Sequence, residues 1–131
     1  LLEARYFLGC DLQDRGKPQD LKEAEDTFME LRRWAPDYVQ VHARLGRLYQ
    51  AEGRLPEAEQ EYQRQLGLDP WDLDTVHALA GMDAGAGKLD AAEAVLAAAQ
   101  QRWPQDPDIA RNLAAVRAGR QRSARPQAGR P

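Results

Sequence analysis

Apolar residues along this chain recur at helical spacing, in runs of about thirteen residues. Val41, Leu45, Leu48 and Tyr49 share one face of one run, and Leu55, Ala58, Tyr62 and Leu66 share one face of the next. The runs break at regular points. Pro36, Pro70 and Pro104 stand 34 residues apart and close the phrases FMELRRWAP, YQRQLGLDP and LAAAQQRWP. Proline lacks an amide donor and clashes with the preceding turn, so the three mark equivalent helix stops. Gly53 and Gly87 repeat the same interval, each about midway between prolines and each opening a similar phrase, GRLPEAEQEY and GKLDAAEAVL. One proline and one glycine per period predict two helices per period.

Ala24, Ala58 and Ala92 are again 34 apart, at places where helix backbones approach closely. Gly9, Gly46, Ala80 and Ala114 are the small residues expected opposite them, giving tightly paired antiparallel hairpins. Such a hairpin cannot bury its apolar stripe alone, and stacked neighbours complete the core. After Pro104, the phrase DPDIARNLAAVRAG gives one more helix, with Ile109, Leu113 and Val116 inward, and it closes the stack.

These residues resemble the tetratricopeptide repeat family. In Val41–Pro70, Leu45, Gly46, Tyr49, Gly53, Ala58, Tyr62 and Pro70 fall on its signature places, with His42 where Trp is usual and Gln65 where Ala is usual. Leu79, Ala80, Gly87, Ala92, Leu96, Ala99 and Pro104 fit in the following repeat, but Asp83 takes the place of a buried aromatic. The preceding repeat matches through Leu8, Gly9, Leu12, Ala24, Phe28, Leu31 and Pro36, with three extra residues assigned to its loop DRGKPQD. The resemblance implies an all-α fold, a right-handed superhelical solenoid of three hairpins plus a C-terminal capping helix. Repeats are expected at about 2–38, 39–72 and 73–106, with the capping helix at 107–119, all in one domain. Residues 120–131 are expected to form a basic, disordered tail, and Asp83 to be exposed by a loosened helix end among Gly81, Gly85 and Gly87.

Charge adds an asymmetry. Residues 117–131 carry five arginines and no acid; taking those from the 18 basic residues leaves 13 against 21 acidic ones, a net charge of −8. An acidic body argues against a nucleic-acid platform, which needs a clustered basic face. Every apolar run is too short for a membrane helix, so no membrane insertion is expected. Cys10 stands alone and permits neither an internal disulfide nor a multi-cysteine metal site. The chain opens at Leu1 rather than Met, as a fragment or trimmed chain would. Nothing in the sequence assigns a compartment.

The stretch GMDAGAGKLDAAEAV resembles a phosphate-binding loop, but Met82 precedes Gly87 by five residues and Leu89 follows Lys88 where a hydroxyl is required. Gly87 is read instead as the turn between helices. DPWDLD lacks the alternating ligands of a calcium loop; Asp72 is placed there to cap a helix. His42 and His77 have no second ligand at helical spacing, so no metal site is expected. No nucleophile stands with an activating base, and neither catalysis nor a cofactor is expected.

Function is therefore sought on a surface. In the family, the first helices of successive repeats line a concave groove that receives a peptide or protein segment. By that resemblance the groove residues are Tyr6, Phe7, Gln40, Arg44, Arg47, Gln50, Asp74, His77, Arg111 and Asn112. Tyr6 and Phe7 would anchor an apolar side chain, and Arg44 and Arg47 would fork a carboxylate. The expected role is a non-enzymatic scaffold or adaptor. Alternatives are a self-assembling structural module, with homo-oligomer formation, and an accessory repeat domain of a larger enzyme such as bacterial envelope polysaccharide machinery.

Overall fold

The computed structural model describes residues 1–124, Val39 through its backbone only. Seven helices occur among them: α1 Leu2–Arg15, α2 Pro18–Trp34, α3 Val39–Ala51, α4 Leu55–Leu68, α5 Leu73–Gly85, α6 Leu89–Arg102 and α7 Pro107–Ala124. No strand occurs among the described residues. The chain forms two compact units, Leu1–Thr75 and Val76–Pro131, divided near the start of α5.

The three prolines sit at equivalent points. Each lies two residues beyond a helix end, after the cap residues Ala35, Asp69 and Trp103. Each cap amide donates to a carbonyl four residues back, on Leu31, Gln65 and Ala99, themselves 34 apart. The glycine turns are equally regular, with φ of 76° at Gly53 and 79° at Gly87, where a side chain would be strained. Just beyond them, the amides of Arg54 and Lys88 donate to the carbonyls of Tyr49 and Asp83, both at 2.8 Å.

The first hairpin departs from expectation. Gly16, with φ of 72°, takes the turn position, seven residues after Gly9 as Gly53 follows Gly46. The three extra residues are therefore not in the loop. They lengthen α2 to 17 residues against 14 in α4 and α6. Pro18 explains this: at the first helical position its fixed φ favours the helix and its missing donor costs nothing.

In the first unit, Ala24, Phe28 and Leu31 of α2, Val41, Leu45, Leu48 and Tyr49 of α3, and Ala58 and Tyr62 of α4 are buried. Leu55 and Leu66, expected on the inner face, are only half-buried. Small residues do not simply face small ones. A methyl group at Gly9 would lie 2.6 Å from the Phe28 ring, and one at Gly46 2.5 Å from the Tyr62 ring. These glycines make room for aromatic faces. In the second unit, Ala80, Ala92, Leu96, Leu113 and Val116 form one cluster, joined by Ala84, Leu89, Val95 and Ala97. Ala114 is exposed, against expectation, because Ile109, Leu113 and Val116 hold the inward stripe of α7.

Asp83 also corrects the sequence reading. The helix runs on to Gly85, and Asp83 is buried at 2% exposure. Nor does the capping helix end at 119: α7 continues through Ala124, and 125–131 of the expected tail lie outside the described residues. Arg117 and Arg120 on α7 pair with Glu93 on α6, and Arg120 also reaches Asp90 at 2.7 Å.

Polar groups fasten the repeat boundaries. Asp72 caps α5 as its position predicts, accepting from the Thr75 amide at 3.2 Å and hydroxyl at 2.8 Å. Its carboxylate also receives the fully buried Gln65 side chain at 2.8 Å, whose amide oxygen accepts from the Ala43 amide at 3.2 Å. One repeat later Asp106 caps α7 through the amides of Asp108 and Ile109.

Candidate functional site

The expected groove residues fall into two groups. In the first unit, α1 and α3 present Tyr6, Phe7, Gln40, Arg44, Arg47 and Gln50. The Tyr6 ring is half-buried, with centroids 5.6 Å from Phe7, 6.1 Å from Phe28 and 5.5 Å from Tyr38. Phe28 is core, so Tyr6 ties the surface rings to the interior. Phe7 stays 61% exposed, a large apolar area that the fold leaves in water.

Arg44 crosses between α3 and α1. It donates to Gln13 Oε1 at 3.3 Å and lies 3.7 Å from an Asp14 carboxylate oxygen, while Gln13 donates back to the Arg44 carbonyl at 3.4 Å. Its side chain is 24% exposed. Burial pushes the Tyr6 hydroxyl pKa up, with the Arg44 guanidinium pulling it the other way. Both groups therefore keep their ordinary protonation at neutral pH. Arg47 and Gln40 are exposed, on the same face of α3 as Arg44 by their spacing. Gln50 has a structural duty, since its Oε1 accepts from the Tyr62 hydroxyl at 2.8 Å. Asp74, on the first turn of α5, is exposed.

In the second unit, His77 and Asn112 line one recess of about 290 Å³ with Ala80, Gly81, Ala84, Leu96, Ala115 and Val116. Arg111 does not line it; it is exposed and pairs with Asp108 one turn back.

Sequence reasoning missed one contributor on the first unit. Tyr38 joins the aromatic cluster although it immediately precedes α3. It stands 34 residues before the cap Asp72, and an aromatic in a capping place was the available signal. The bond by which Gln13 holds Arg44 comes from the packing of α1 on α3.

Larger still is an unforeseen cluster of ionic groups from α2, α3 and α4. Glu61, 2% exposed, takes contacts from Arg32 of α2, His42 of α3 and its own neighbour Arg64. Beside it, Arg54 in the α3–α4 turn reaches Glu25, Glu52 and Glu57 and lies 4.4 Å over the Tyr49 ring. Cys10 is buried. Among the described residues no group of three or more His, Cys, Asp or Glu side chains could hold a metal ion, and no helix is long and apolar enough to cross a membrane.

Comparison with solved structures gives the same fold in bacterial chaperones. The Yersinia enterocolitica type III secretion chaperone SycD, in complex with a peptide of the translocator YopD, superposes with a TM-score of 0.76 at 21% identity, covering 91% of this chain and 94% of that one. PcrH, in complex with the chaperone-binding region of PopD, gives 0.69 at 23% identity over 89% and 86%. A thermophilic TPR protein of Thermus thermophilus gives 0.68 at 23% identity over 88% and 63%. Among curated proteins no sequence matches. The tetratricopeptide repeat family model matches residues 17–82, just over half of the chain, and the chain belongs to that family.

Proposed function

We propose that this protein is a non-enzymatic binding module whose α1–α3 surface receives a peptide or protein segment. The observation that carries the reading is the exposed Phe7 ring beside the Tyr6–Tyr38 pair, with the Arg44 and Arg47 cations along the adjoining face. An apolar anchor of the ligand would cover Phe7, and an acidic or C-terminal carboxylate would meet Arg47, the more exposed arginine. SycD, which shares the fold, is seen with a peptide of the translocator YopD and PcrH with the chaperone-binding region of PopD, and this supports a peptide as the ligand class.

Arg44 is a poor choice for mutation, because it also braces α3 against α1. The test uses Phe7→Ala with Arg47→Glu, both at exposed positions. Peptides selected from a random display library on the wild-type protein should weaken at least about tenfold on the double variant, a loss of about 1.4 kcal/mol, with the melting temperature unchanged. Equal affinity for both proteins would remove the α1–α3 surface.

A second reading rests on the outer edge of the first hairpin. Leu1, Leu2, Leu8 and Trp34 are exposed, and a recess of about 250 Å³ there is lined by Leu1, Leu2, Arg5, Glu30, Leu31 and Trp34. Arg5 and Glu30 pair with each other at 2.5 Å within the chain, so the apolar patch could meet its own copy across a two-fold axis without burying an unpaired charge. Under this reading, light scattering over a concentration series shows a dimer that Leu2→Glu abolishes; a monomer throughout would exclude it.

A further inference from the structure

His42 occupies the place where the family usually buries a tryptophan, and its side chain is only 3% exposed. Both ring nitrogens face acceptors. Nδ1 lies 2.7 Å from Glu61 Oε2, and Nε2 lies 2.7 Å from the Pro36 carbonyl oxygen. A neutral imidazole has one N–H and one lone pair, so it can satisfy only one of these. Its second nitrogen would point a lone pair at an oxygen lone pair. The arrangement is satisfied by an imidazolium donating twice.

The proton does not sit on the carboxyl instead. Glu61 Oε1 is contacted by the guanidinium groups of Arg32 on α2 and Arg64 on α4, and both favour the ionised acid. Tyr49, on α3 near the same acid, has its hydroxyl pKa raised by burial and stays neutral. The charged and titratable groups around His42 are thus Glu61 and Arg64 from α4, Arg32 from α2 and Tyr49 from its own helix.

We propose that His42 is an ionised cross-link joining α4 to the α2–α3 turn, and that this junction loosens when the second ring proton leaves. The carboxylate is the stronger acceptor, so it keeps the remaining N–H. The link that fails is the one to Pro36. That carbonyl belongs to the turn connecting the first hairpin to the second, where the Tyr38 amide donates to the Ala35 carbonyl at 3.0 Å and the Val41 amide to the Tyr38 carbonyl at 3.2 Å. The device stands whether or not the α1–α3 surface binds a peptide.

Linkage fixes the direction. The hydrogen bond to Glu61 raises the His42 pKa, burial opposes this, and the Pro36 carbonyl adds to the rise. A cation held in the fold contributes its full stability below the unfolded value of about 6.5 and loses it as pH rises through the folded one. The loss is therefore on the alkaline side.

The chain has two histidines, so ring-nitrogen NMR resolves them, with His77→Gln giving the assignment. Across pH of about 5 to 9, His42 should keep both ring N–H groups above the unfolded value of about 6.5. As His42 titrates, amide exchange at Tyr38 and Val41 should accelerate beyond the base-catalysed slope, and the denaturation midpoint should fall. Glu61→Gln should bring the titration of His42 down to or below the unfolded value of about 6.5 and abolish the alkaline fall. If Glu61→Gln does not fold, the wild-type titration decides alone. His42 losing its second proton at or below the unfolded value of about 6.5, or a midpoint flat across the titration, would overturn the proposal.

Discussion

Gly46→Ala should destabilise the protein although it replaces a poor helix former by the best one. The new Cβ would lie 2.5, 2.7 and 3.0 Å from three ring carbons of Tyr62. Carbon atoms rest at about 3.5–4.0 Å, so the ring must retreat by about 1 Å. It has little freedom to do so, being 1% exposed with its hydroxyl bonded to Gln50. Overpacking of this kind costs about 1–3 kcal/mol. The helix-propensity gain returns about 1 kcal/mol. The balance is a net loss of up to about 2 kcal/mol. Gly67 in α4 is the control, because a methyl there meets nothing within 4 Å. Gly67→Ala should gain up to about 1 kcal/mol. Urea unfolding measures both as midpoint shifts at constant slope. Gly9→Ala should behave like Gly46→Ala, since its methyl would sit 2.6 Å from the Phe28 ring. Pairing Gly46→Ala with Tyr62→Ala should show a favourable coupling, because the smaller side chain removes the clash. If Gly46→Ala matched Gly67→Ala in sign and size, the close ring contact would not be a feature of the folded protein.

Further outcomes follow from the polar groups. Asp72→Ala removes a cap worth about 1 kcal/mol and leaves the buried Gln65 amide without its acceptor, adding about 1–2 kcal/mol; Asp106→Ala should cost the cap alone, and equal losses in denaturant unfolding would refute the distinction. Glu61→Ala should cost about 3 kcal/mol, near the lower bound for breaking a buried pair because Arg32 and Arg64 can turn to water, and a loss under about 1 kcal/mol by the same assay would contradict it. Burial pushes the Glu61 carboxyl pKa up, but the His42 hydrogen bond and the charges of Arg32, His42 and Arg64 hold it below the usual range. Its stabilisation is thus present above the unfolded value of about 4.3 and lost as pH falls through the folded value, so Glu61→Gln should flatten the acid limb of a stability profile. Gly87→Ala places a side chain at φ of 79° and should destabilise by about 1 kcal/mol despite open space around it; an unchanged midpoint would show that the turn relaxes.

What could be read in the sequence is what the backbone repeats. Pro36, Pro70 and Pro104 each stop a helix by the same mechanism, and that mechanism needs no tertiary context. The same holds for Gly53, Gly87 and the cap at Asp72. The errors lie where local and tertiary influences compete. Three surplus residues suggest a longer loop when counted, but Pro18 starts a helix so well that they extend α2. Gly9 and Gly46 look like partners for alanines until the rings of Phe28 and Tyr62 claim the space. Asp83 looks exposed because lone acids avoid interiors, yet an intact helix carries it to 2% exposure.

The same distinction explains why the proposed surface was only partly legible. Core positions are constrained by periodicity, whereas an exposed side chain is free of it, so Tyr6, Phe7, Arg44 and Arg47 were placed by register alone. Register brought Tyr6, Phe7 and Arg44 onto neighbouring parts of α1 and α3, but could not tell an available cation from an occupied one. Arg44 is bonded to Gln13 and close to Asp14, while Arg47 is exposed. The two arginines thus differ in kind: one sets how α3 sits on α1, and the other stands exposed. His42 and Gln65 show the converse. Each replaces a usual apolar residue of the repeat with a polar one, and each turns a packing position into a specific hydrogen-bonded link between neighbouring elements. Departures from the repeat pattern are therefore where this chain carries its individual chemistry. They bear on the junctions that hold α1 and α3 in place, and through them on whatever surface those helices present.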